Sequence, residues 1–125
     1  MVWLAIGVGG GIGAMARHWV NHLLHGRFGY DFPLGILVVN VSGCFLIGLL
    51  AGLIATGRVD VPTVGRHLLV TGLLGGFTTF SSFGLDTLTL ARGGDLRLAL
   101  ANVAASVLLG LAAVWVGFAV GSWRT

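Results

Sequence analysis

Four hydroxyls and three phenyl rings fall within Phe77-Thr78-Thr79-Phe80-Ser81-Ser82-Phe83, directly after Gly75-Gly76. A hydroxyl can donate a hydrogen bond to an anion, and the edge of a phenyl ring carries partial positive charge. Adjacent glycines followed by β-branched threonines weaken a helix here. Carbonyls freed at Gly75-Gly76 by such unwinding need a partner, and a buried cation can supply one. The stretch therefore reads as an unwound turn lining an ion site. Phe80 and Phe83 are three residues apart and share a helical face. Core packing is the competing explanation for that pair, and the hydroxyls beside it weaken that explanation.

Other polar residues in apolar surroundings extend the candidate set. Asn40 lies early in an uncharged run, so its amide must face protein or a watery pore. Asn102 and Ser106 are four apart and share a helical face, as glue between helices or as part of a path. Arg17 and His18 sit about one turn from a helix end, where snorkelling competes with a structural role inside the fold. His18, His22 and His25 make no convincing metal set without a carboxylate or cysteine beside them. No GxGxxG frame fits the Gly7–Gly13 cluster. No nucleophile, general acid or ligand cluster points to an enzyme.

The elements that carry these residues follow from composition. The 125-residue chain is 56% hydrophobic and 9% charged, with mean hydropathy +0.98. A soluble domain carries roughly 25% charged residues, so this is an all-α membrane protein. Residues 1–16, 32–57, 67–85 and 98–123 hold no Asp, Glu, Lys or Arg. At about 20 residues per crossing they predict one four-helix transmembrane domain, with helices near 2–24, 33–56, 66–90 and 98–121, the third broken. Gly9 with Gly13, Gly48 with Gly52, and Gly117 with Gly121 have the spacing that lets membrane helices approach closely. Cys44 is the only cysteine, which excludes an intrachain disulfide. Ala14-Met15-Ala16 mimics a signal-cleavage site but lacks a basic segment before it, so no cleavage is expected. The seven arginines are scattered, which argues against nucleic-acid binding.

Those arginines also bear on orientation. With four crossings, Arg58, Arg66 and Arg124 lie on one side and Arg27, Arg92 and Arg97 on the other. The positive-inside rule then selects no direction. A chain inserting both ways can pair with an inverted copy of itself, as an antiparallel homodimer in the bilayer.

Over nearly its whole length the sequence resembles the Fluc (CrcB) family of fluoride channels. The likeness is carried by Gly9-Gly10-Gly11-Ile12-Gly13-Ala14 with Arg17-His18, by Pro33-Leu34-Gly35 through Asn40 to Gly43, and by Gly72 through Phe83. The resemblance implies a dual-topology dimer with two pores. It assigns Phe80, Phe83 and Asn40 to the pore, with hydroxyls from Ser81, Ser82 and Ser106. It also implies a structural sodium ion (Na+) at the dimer centre, held by backbone carbonyls of Gly75 and Thr78. The expected function is passive export of fluoride across the cell membrane by a multi-pass protein. Ser82 stands where the family often has threonine, Asp86 where glutamate is usual, and Ile36 where some members have threonine. A small proton-coupled multidrug exporter is the alternative, but it needs a carboxylate in helix 1, where none occurs.

Overall fold

The computed structural model describes residues 1–124, which are helical apart from short connections, with no strand among them. Helix α1 spans Val2–Phe28, a turn beyond the end expected near Leu24. His25 and Arg27 in its last turn face the negative end of the helix dipole and favour that extension. It stops at Gly29, whose φ of 81° ends the helix at little cost for a glycine. Helix α2 spans Leu34–Ala55 and begins directly after Pro33, without a side-chain cap from Asp31. Helix α3 covers residues 63–77: a first turn Thr63–Arg66, a π-type segment His67–Leu74, and a last turn Gly75–Phe77. Helix α4 is Phe80–Arg92. Helix α5 is Leu96–Ser122, and its Leu98 amide donates to Asp95 Oδ1 at 3.1 Å.

Three units are long and apolar enough to cross a membrane: Leu34–Ala55, Thr63–Arg92 and Leu96–Ser122. Helix α1 has the length, at 27 residues, but its glycines, histidines and Arg17 dilute its apolar character.

Packing rests on backbone approach more than on large side chains. Val39, Ile36, Leu74 and Ala99 are the buried apolar residues. Along α2 and α5, a methyl group on Gly48 would collide with the Val114 carbonyl, and one on Gly117 with the Phe45 carbonyl. Gly52 and Gly121 meet the opposite backbone in the same way. On α1, Gly9 and Gly13 lie against the backbone of Leu68 and Leu73 in α3. Gly72 and Gly76 reciprocate against Ile6 and Gly10. In a membrane, where lipid is as apolar as leucine, such close contact supplies the dispersion energy that holds helices together.

The break between α3 and α4 lies at Thr78 and Thr79, and this corrects the expectation that Gly75-Gly76 unwinds. Gly75 is helical at φ −63°, ψ −37°, whereas Thr78 (−79°, 156°) and Thr79 (−153°, 118°) are extended. The physical reason is packing. Gly76 is needed for the approach to Gly10, and β-branched threonine is more at ease in extended backbone than in a helix.

Candidate functional site

The break is held by a side chain from α2. Asn40 Nδ2 donates to the Thr79 carbonyl at 3.0 Å, and the Thr79 amide donates to Asn40 Oδ1 at 2.8 Å. One primary amide thus serves both polar groups of a backbone unit that neither helix can satisfy. Thr79 is only 8% exposed, so without Asn40 its amide would be buried and unpaired. The Thr79 hydroxyl then caps α4, accepting from the Ser82 amide at 3.2 Å. Thr79 is the functional residue that sequence reasoning left unassigned. Its signal was present in the paired threonines.

A groove of about 390 Å3 opens at this point. Its wall brings together Asn40, Phe80, Phe83 and Ser106 from three helices, with Gly75 and Thr78 at the break. The Phe80 and Phe83 rings lie 5.4 Å apart, tilted by 51°. Phe80 is 82% exposed, which is unusual for a ring placed beside polar groups. Ser81 and Ser82 do not line this groove. Both hydroxyls lie 3.2 Å from Thr79 Oγ1, on the first turn of α4. Ser106 extends a second polar seam, since its hydroxyl donates to Asn102 Oδ1 at 3.5 Å.

The groove suits a small anion chemically. Asn40 Nδ2 has two hydrogens, and one is used on Thr79, leaving the other free for the groove. Ser106 adds a hydroxyl, and the phenyl edges add weak positive potential without a fixed charge. Conduction favours such weak, distributed donors, because an ion must leave as readily as it arrives.

Carbonyls at the break have the character of a cation site. The Thr79 amide, which would close onto the Gly75 carbonyl in a continuous helix, goes to Asn40 instead. The Gly75 oxygen has therefore lost its helical donor. The Thr78 oxygen accepts from the Arg17 guanidinium at 3.4 Å, a long contact from α1. That contact gives Arg17 a defined place inside the fold. A hard cation is served by backbone oxygens of this kind. Any cation here would share the Thr78 oxygen with Arg17. Among the described residues no cluster of His, Cys, Asp or Glu could hold a transition metal.

Comparison with known proteins gives one consistent result. The family model described as CrcB-like protein, Camphor Resistance (CrcB), matches residues 4–118. A protein of Opitutus terrae named fluoride-specific ion channel FluC is 50% identical over 117 residues, covering 93% of this chain and 89% of its own. A protein of the same name from Solibacter usitatus is 49% identical over 117 residues, covering 94% and 95%. One from Paracoccus denitrificans, also so named, is 49% identical over 122 residues, covering 95% and 93%.

Proposed function

The chain belongs to the CrcB-like family, and on that premise we propose that it is a fluoride-specific ion channel that exports fluoride passively as an antiparallel homodimer. It is a multi-pass membrane protein. The observation that carries the reading is the convergence of Asn40, Phe80, Phe83 and Ser106 on one groove beside a helix break. Fluoride is small and strongly hydrated, so a dry path must replace its water with donors. Asn40 and Ser106 provide these in the groove, and Ser81 and Ser82 lie on the adjoining turn of α4. Phe80 and Phe83 guide the ion by their edges and bind it weakly. The exporter alternative finds no support in the family match.

The homodimer reading is supported by the open side of the groove and by the exposure of Phe80, which a second copy would cover. The three-against-three division of arginines favours an inverted partner over a parallel one. In that pairing α1 is the fourth crossing. Carbonyls of Gly75 and Thr78 would hold a structural sodium ion between the two copies, which offsets the charge of the unpaired oxygens. Arg17 fixes the Thr78 carbonyl from the α1 side.

Fluoride release from proteoliposomes, read with a fluoride electrode, tests the channel. The wild type is expected to release fluoride and retain chloride, and Phe80→Ile to slow release by at least about tenfold, equivalent to 1.4 kcal/mol on the barrier. Release at the rate of empty liposomes from the wild-type protein would remove the channel reading. Topology is tested with Asp60→Cys in a Cys44→Ala background. A membrane-impermeant thiol reagent should label one fraction from outside and the remainder only after the vesicles are opened. Complete labelling from one side would exclude the antiparallel pair.

A further inference from the structure

Asn102 of α5 is more deeply buried than any other polar residue described, at 2% exposed. Its amide direction is fixed by bonding on α4. Thr87 Oγ1 donates its single hydrogen to the Phe83 carbonyl at 2.8 Å. Toward Asn102 it can therefore only accept, and Asn102 Nδ2 donates to it at 3.0 Å. With the nitrogen so engaged, Oδ1 is left for Ser106, whose hydroxyl donates to it at 3.5 Å. The hydrogen bonds run one way, from Ser106 to Asn102 to Thr87 to the Phe83 carbonyl.

That direction matters because a serine hydroxyl has one hydrogen. An anion at Ser106 in the groove needs that hydrogen, and Asn102 already accepts it. The 3.5 Å separation lies beyond the usual range for a hydroxyl donor, so the bond restrains the hydroxyl only lightly. We propose that Asn102 is a positioning residue that holds the Ser106 hydrogen between ion passages and so sets how tightly fluoride is held there. The proposal rests on Ser106 being a fluoride contact. Without Asn102 the hydroxyl is a free donor, and fluoride stays longer. With it, each departing ion is replaced at once by an internal acceptor. Thr87 acts one step further out, by keeping the amide from turning its nitrogen toward Ser106. If Asn102 were only glue between α4 and α5, its loss would weaken the fold and leave the concentration dependence of conduction alone.

The test is the initial efflux rate against fluoride concentration for the full-length protein in liposomes. Asn102→Leu is expected to lower the half-saturating concentration by about fivefold, the equivalent of one net hydrogen bond. Ser106→Ala is expected to raise it. In the Ser106→Ala background, Asn102→Leu should produce no further shift. Thr87→Val frees the amide to rotate and should shift saturation in the same direction as Asn102→Leu, by less. It carries the test if the Asn102→Leu protein does not fold. An equal shift from Asn102→Leu with and without Ser106 would overturn the proposal. So would unchanged saturation in both Asn102→Leu and Thr87→Val. Saturation unaltered in Ser106→Ala would instead show that Ser106 is no fluoride contact, and the role of Asn102 would fall with it.

Discussion

Asn40→Ala is expected to stop fluoride release and loosen the helix break together. The side chain makes two hydrogen bonds to Thr79, and alanine makes neither. The Thr79 amide and carbonyl then lie in a site where Thr79 is 8% exposed, with no donor or acceptor to replace the lost amide. Leaving one buried group unpaired costs about 1–3 kcal/mol, and here two are affected. The groove loses its amide donor at the same time. Efflux should fall by about a hundredfold or more, the scale of removing a preorganised donor from a dry site. Hydrogen exchange at the Thr79 amide should accelerate by a similar factor. Normal efflux would remove Asn40 from the anion path. Unchanged exchange would show that the break is held by something else.

The largest stability effect is expected at Gly117. A side chain there meets the Phe45 carbonyl and the Leu49 amide nitrogen, and backbone atoms in a helix cannot step aside. Gly117→Val must push α2 and α5 apart, opening the contacts at Gly48, Gly52 and Gly121 with it. Overpacking a core costs about 1–3 kcal/mol when side chains can rearrange, and this site sits at or above that range. Purified Gly117→Val should yield little monodisperse protein in detergent and inactivate at a markedly lower temperature. Gly11→Val is the control, because nothing lies within 4 Å of a side chain at Gly11. If both variants melted alike, backbone approach would not be what holds these helices.

Much of this was readable from composition and spacing. The charge-free runs located the apolar helices because the bilayer imposes one length and one polarity on every crossing. Asn40 stood out as an amide in hydrocarbon, and Asn102 with Ser106 stood out by helical spacing. What spacing could not give was the partner on another helix. Thr87 and Thr79 look ordinary in the chain, yet they fix the two amides. Gly75-Gly76 misled because glycine has two uses in membrane helices, unwinding and close approach. Here Gly76 serves approach to Gly10, and the extended backbone falls on the threonines instead. The sequence also offered α1 as an apolar span, whereas Arg17, His18 and His22 leave it less apolar than α2 or α5. The pairing of Thr78 with Arg17 joins residues 61 positions apart, beyond any local pattern.

The π-type segment His67–Leu74 has a consequence for which lengths of chain the protein can tolerate. Its wider turns advance each residue through a smaller angle than an α-helix does. Whatever follows is thereby rotated relative to the first turn of α3, and Thr78, Thr79 and Phe80 follow directly. The segment works as a phase setting between the glycine seam with α1 and the wall of the groove. Deleting one residue within 67–74 would let the helix relax toward α geometry and turn Phe80 off the groove, with every side chain of the site intact. Spacing here is itself a functional element, and it is encoded in residues that touch no ion.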